Sequence, residues 1–226
     1  MTAGRIPFRL VLTAVLAAAA CSSATTSPPA SQSPNSSADE FEAIYRARQD
    51  SARMHYTDAD VRFMRDMIHH HAQAIEMSQL VPERTSDAAM RTLAGRIISA
   101  QRAEIATMQR WLRDRGLEAP DVQITDTDVM VHGTGHEGHA LMPGMITPEQ
   151  MRELEAARDT PFHRLFLTFM IQHHNGAVRM VYDLFDAGAG QDEDAFRLAS
   201  DVQVDQITEV RRMEQMLAAL PDDRMR

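Results

Sequence analysis

"MIHHHAQAIEM" (residues 67–77) and "MIQHHNGAVRM" (residues 170–180) are two versions of one motif, 103 positions apart. Aligning them pairs Met67 with Met170, His70 with His173, His71 with His174 and Met77 with Met180. The likeness resumes downstream. Gln101, Glu104, Met108 and Leu112 of "QRAEIATMQRWL" match Gln206, Glu209, Met213 and Leu217 of "QITEVRRMEQML". Each copy therefore reads as two helices joined as a hairpin, which cannot bury its apolar face alone. Two copies complete a four-helix bundle, an all-α fold with internal pseudo-two-fold symmetry.

Periodicity and capping signals set the boundaries. Val61, Met64, Ile68 and Ile75 recur at three- and four-residue steps, predicting a helix from Asp58 to about Leu80, with Thr57 and Asp58 as N-cap candidates and Pro82 as its stop. Leu93, Ile97, Ile105, Met108 and Leu112 predict a second helix from Ser86 to about Arg115, closed by Gly116. Thr147, Pro148 and Gln150 form a capping-box signature for a short helix. Long helices follow from Asp159 to about Ala187 and from about Asp192 to Leu220. The predicted organisation is a first hairpin over 57–116, an inter-repeat loop over 117–148, a second hairpin over 149–220 and a tail over 221–226.

Upstream, residues 1–21 read as a signal peptide: Arg5 and Arg9, then the apolar "LVLTAVLAAAA", then Cys21, the only cysteine. The apolar run is too short to span a bilayer comfortably. Small residues directly before Cys21 resemble a lipobox, which implies lipidation of Cys21 and a lipid anchor on the outer face of the cytoplasmic membrane. Residues 22–56 begin with a Ser/Pro/Thr-rich run and read as a disordered tether and lead-in. All 23 basic residues are arginine, and the formal net charge is −9. Such an acidic chain lacks the basic patch that phosphate binding needs, which excludes nucleic acid as a partner.

"DADVRFMRDMIHHHAQAIEMSQL", "AGRIISAQRAEIATMQRWL", "MPGMITPEQMREL", "FHRLFLTFMIQHHNGAVRM" and "LASDVQVDQITEVRRMEQML" together resemble the domain-of-unknown-function 305 family over nearly all of 57–220. The resemblance implies a ferritin-like bundle outside the cytoplasm, in a family some of whose members bind copper. The chain departs from the family pattern at His69 and Gln172, where proline precedes the histidine pair, and at His163, where an aspartate is usual. The first copy keeps that acid as Asp60.

Successive helical residues point about 100° apart, so the three consecutive histidines cannot form one site. His69 shares its ridge with Arg65, Asp66, Gln73 and Glu76 and reads as solvated. His70 lies on a ridge with Met67, Ala74 and Met77, and His173 on one with Met170, Ala177 and Met180. His71 and His174 lie among apolar residues and need polar partners, which Gln101 with Glu104 and Gln206 with Glu209 could supply. The core metal candidates are therefore Met67, His70, His71, Met77, Glu104, Met108, Met170, His173, His174, Met180, Glu209 and Met213. A second cluster lies in the inter-repeat loop: His132, His136, His139, Met142 and Met145, with Met130 nearby. His55 and His163, near the starts of long helices, could join a site at that end.

Imidazole with thioether suits copper, especially Cu(I). No histidine has glutamate three residues before it, which speaks against a carboxylate-bridged di-iron centre. There is no His-Glu-x-x-His zinc motif, and "HEGH" (136–139) has the wrong spacing. No nucleophile constellation is visible and no catalytic residue is assigned. The reading is a copper-binding bundle lipoprotein for metal sequestration or tolerance, its partners a metal ion and a membrane. Two alternatives remain: a metal-dependent redox enzyme using the same pocket, and a metal-free interaction bundle whose buried His–Glu pairs fix the register.

Overall fold

The computed structural model describes residues 37–53, 55–133 and 142–221. Cys21, His136 and His139 lie outside the described residues.

Four long helices make the bundle: α2 (Asp58–Gln79), α4 (Ala88–Asp114), α6 (Asp159–Asp186) and α7 (Glu193–Ala218), with short helices α3 (Val81–Arg84) and α5 (Pro148–Ala156) between them. Preceding them is α1 (Ser37–Arg53). It lies in the stretch expected to be tether and lead-in; its alanine, glutamate and arginine content and the acidic first turn at Asp39 and Glu40 favour helix. The caps follow the sequence signals. Thr57 and Asp60 form a capping box for α2, as do Thr147 and Gln150 for α5. Asp87 and Asp192 cap α4 and α7 through Met90 N and Ala195 N. Pro82 does not end the helical path: it sits in the first turn of α3, where its missing N–H costs nothing.

The inter-repeat segment is more ordered than its glycines suggested. β1 (Asp121–Ile124) and β2 (Val129–His132) form an antiparallel hairpin with Val122 opposite Val131 and Ile124 opposite Val129. Alternating Val122, Ile124, Val129 and Val131 put their side chains on one half-buried face, and the hairpin lies against α2. Thr125 closes the turn by bonding Asp128.

Connections at both ends show that α2 and α6 run antiparallel. Asp60 Oδ1, at the start of α2, accepts from Gly190 N just beyond α6, at 2.6 Å. At the start of α6, His163 Nε2 hydrogen-bonds Thr85 Oγ1, just beyond α3, at 2.7 Å. His163 thus ties down a turn at the position where the first copy uses Asp60. At the α4–α7 end, Asp192 accepts from Trp111 Nε1 at 2.9 Å and pairs with Arg115 at 2.6 Å, both partners buried.

The apolar core is in two halves. One combines Met64, Met67 and Ile68 with Ile105, Met108 and Leu112, Val181 and Leu184, and Ala199 and Val202. The other combines Met77 and Val81 with Leu93 and Ile97, Phe162, Phe166 and Met170, and Val210 and Met213. Between them every long helix changes character. His70 and His71, Gln101 and Glu104, His173 and His174, and Gln206 and Glu209 all fall at this junction. Among the described residues no helix is long and apolar enough to cross a membrane.

Candidate metal centre

The polar belt contains four fully buried imidazoles. His70, His71, His173 and His174 each have 0% relative exposure. They are buried because each sits on the inward ridge of its helix, one turn after Met67 or on the same face as Ile75 and Ala177, all themselves fully buried.

His71 and His174 are held alike. His71 Nε2 donates to Glu104 Oε2 at 2.6 Å, and His174 Nε2 donates to Glu209 Oε2 at 2.6 Å. A carboxylate only accepts, so the proton is on Nε2 and the lone pair on Nδ1. Both Nδ1 atoms are buried without a hydrogen-bond partner. Orientation by a carboxylate on the remote nitrogen is the usual outer-shell arrangement of a metal-ligating histidine.

His70 Nε2 donates to the carbonyl of Pro143 at 2.9 Å, which leaves its Nδ1 bare as well. His173 makes no well-formed hydrogen bond from either nitrogen, although the His70 backbone lies close enough to act on its ring. The His70 and His173 rings touch in a tilted contact, centroids 3.9 Å apart and planes at 42°, and the His173 and His174 centroids are 6.1 Å apart. Burial lowers the His70 pKa to about 3, against the opposing pull of Pro143, and His71 and His174 add to the lowering. Burial likewise holds His173 well below its ordinary value, with further lowering from the His70, His174 and His71 rings, against a weaker opposing pull from the His70 backbone. Both rings are therefore neutral and keep their lone pairs at any physiological pH.

Gln101, at 1% exposure, has both amide atoms buried and unpartnered, and Gln206 Oε1 is unpartnered too. A natural core satisfies such atoms or uses them. On the outer side, Asp205 faces Glu104 and Glu209; burial and these carboxylates raise its pKa. Among the described residues, however, no three or more His, Cys, Asp or Glu side chains converge as a ready-made metal cage. Ligation here would draw on thioethers, or on a shift of the imidazoles.

The methionine candidates divide. Met67, Met77, Met108, Met170 and Met213 are fully buried, whereas Met180 is 9% exposed and borders a cleft. Among the described residues, the loop candidates His132, Met142 and Met145 lie apart. His132 is exposed at the end of β2, and Met142 and Met145 are half-buried and line different clefts. His55 bonds Ser51 O at 2.6 Å, and His163 lies at the opposite end of the bundle, so these two do not share a site.

His69 is not solvated, as its ridge suggested, but 6% exposed. The segment 118–131 folds over that ridge: Arg65 donates to Glu118 O, and Gln79 donates to Thr125 O, with His69 between them along α2. The strap 142–146 was also missed. Gln73 exchanges two hydrogen bonds with Ile146, and Gly144 lies so close to α6 that an added Cβ would meet Gln172 O at 2.6 Å and Gly176 Cα at 2.7 Å. Gly176 is reciprocally required, since a Cβ there would collide with Pro143. Gln73 and Gly176 are equivalent positions of the two copies. A signal existed: where the duplication changes residue type, a unique segment packs.

The family profile described as domain of unknown function (DUF305) matches residues 60–217. The chain belongs to the DUF305 family. A DUF305 fragment from Deinococcus radiodurans is 31% identical with a TM-score of 0.61, over 73% of this chain and 99% of the fragment. A DUF305 protein of Streptomyces coelicolor, described as secreted, is 31% identical with a TM-score of 0.59, over 71% of this chain and 91% of that one. CopM in its Cu(II)-bound form is 25% identical with a TM-score of 0.53, over 70% of this chain and 95% of CopM. CopM has also been solved in Cu(I)-bound and silver-bound forms, which share the fold. No curated protein matches the sequence.

Proposed function

We propose that this DUF305 protein is an extracytoplasmic copper-binding bundle that sequesters the metal, anchored through a lipidated Cys21. The observation that carries the reading is His173: a fully buried imidazole without a well-formed hydrogen bond on either nitrogen, in contact with a second neutral imidazole, His70. A buried unpaired polar group costs about 1–3 kcal/mol, which a core without a task would shed by mutation to leucine. His70 and His173 are the central ligands in this reading, with His71 and His174 contributing through Nδ1. Glu104 and Glu209, candidate ligands by sequence, act instead as orienters of His71 and His174. Met67 and Met170, one turn before the central pair, supply soft sulfur. The copper-bound forms of CopM and the secreted Streptomyces relative support the metal and the compartment.

Cu(I) titration of the intact protein against a competing chelator tests this. Tight binding that is lost in His70→Leu/His173→Leu is the expected result. Binding no tighter than that of a bundle lacking these residues overturns it.

The two His–Glu bonds favour a second reading, a metal-free bundle whose buried pairs fix helix register. That reading accounts for His71 and His174 and leaves His70, His173 and Gln101 unexplained.

A further inference from the structure

The strap Met142–Ile146 crosses α2 and α6 directly over the central histidines. Pro143 accepts from His70, Gly144 accepts from Gln172 Nε2 at 3.3 Å, and Ile146 is clamped by Gln73. A cleft opens on each side of it. The cleft toward the start of α2 and the end of α6 is lined by Arg62, Asp66, Met142, Pro143, Met180 and Asp183, among others. The cleft on the other side contains Met145 and Met151 with Glu76 and Glu155, and does not include Pro143.

We propose that Met142 and Met180 form a separate loading site for a soft monovalent cation, from which the ion passes to the central histidines. The proposal rests on the copper reading above. Like the cleft on the other side, this one holds two thioethers from different segments, and thioether is the ligand that prefers Cu(I) and Ag(I) over the hard ions abundant in solution. Two observations select it. Its wall includes Pro143, the residue bonded to His70, so one residue separates the cleft from a central imidazole. Met180 also departs from its counterpart. Met77 is fully buried in the core, while Met180 borders the cleft on the helix that carries His173. Asp66 and Asp183 lend the cleft negative charge, tempered by Arg62 within it and by Arg179 paired with Asp183 at 2.7 Å. The His70–Pro143 hydrogen bond is the direct link between the cleft wall and the central imidazole.

Silver nitrate, a redox-inert soft probe, distinguishes the two sites when titrated into the intact protein with methionine methyls and imidazoles followed by NMR. The expected result is that the Met142 and Met180 ε-methyls shift along with the imidazoles. The methyl shifts persist in His70→Leu/His173→Leu. In Met142→Leu/Met180→Leu, which conserves volume and should melt normally, Cu(I) uptake from a chelator slows while equilibrium affinity at the histidines holds. Imidazole shifts without methyl shifts overturn the loading site and leave the copper reading standing. Methyl shifts alone overturn the central site and the transfer to it, and with them the loading role. No shift of either kind overturns both.

Discussion

The imidazoles of His70 and His173 touch at 3.9 Å between centroids with 42° between their planes, buried between two apolar halves of the core. Two like groups in contact cannot both be charged there, and both are held neutral. A neutral pair with unpartnered nitrogens is poorly matched to a metal-free core. Replacing His173 with leucine removes two buried polar atoms that lack well-formed hydrogen bonds. The apo protein is then as stable or more so, by up to about 1–3 kcal/mol. The rise in melting temperature on adding Cu(I) disappears, because only a ligand bound to the native state raises it. Calorimetry with and without metal checks both halves. A metal response that survives would exclude His173 as a ligand.

Acid should destabilise the protein through this pair. The folded pKa values lie below the unfolded value of about 6.5, so the unfolded chain binds more protons once pH falls beneath it. Stability contributed by the neutral rings is complete above that value and declines as pH drops toward the His70 value of about 3. Each ring adds a slope of about 1.4 kcal/mol per pH unit. Urea denaturation at several pH values between 7 and 5 should show a shallower dependence in His173→Leu than in the wild type.

Glu104 tests the orienting role. Glu104→Gln keeps a hydrogen-bond acceptor for His71 Nε2 but removes the charge that fixes the tautomer. Metal affinity should fall about 10–100-fold with the fold retained, the size typical of outer-shell changes. Glu104→Ala leaves the imidazole N–H unpaired and should cost stability as well, about 1–3 kcal/mol. An unchanged affinity in Glu104→Gln would favour the register role over the metal role.

Gly176→Ala would ordinarily strengthen a helix by about 1 kcal/mol. Here its Cβ collides with Pro143, so the strap must lift. The expected outcome is a net loss of stability and faster exchange of the His70 Nε2 proton, read by NMR. A stabilised variant with that proton still protected would refute the close approach.

Asp192 caps α7 and holds Trp111 and Arg115. Truncation to alanine removes the close partner of a buried guanidinium, leaving Asp194 at 3.9 Å and the Trp111 carbonyl. Such a loss costs about 3–5 kcal/mol, enough for a large drop in melting temperature without any change in metal stoichiometry.

The sequence by itself determined the bundle, because the duplicated motif and the apolar ridges around it are local, periodic signals that only one packing satisfies. The caps at Thr57 and Thr147 were equally local. It also narrowed the partners of His71 to Gln101 or Glu104 and of His174 to Gln206 or Glu209, since residues that must be buried and polar have few partners to choose from; the structure pairs them with the glutamates. Tertiary structure decided everything that depends on which surface a non-repeated segment covers. His69 was buried by the hairpin over α2, and the opposite ends occupied by His55 and His163 followed from the antiparallel run of α2 and α6. Above all, His70 meets His173 only because α2 and α6 pack together, and Pro143 reaches His70 where Gly144 and Gly176, far apart in sequence, allow the strap to lie close on α6. Ridge periodicity says which way a side chain points along its own helix; only the close approach of two backbones says what it meets.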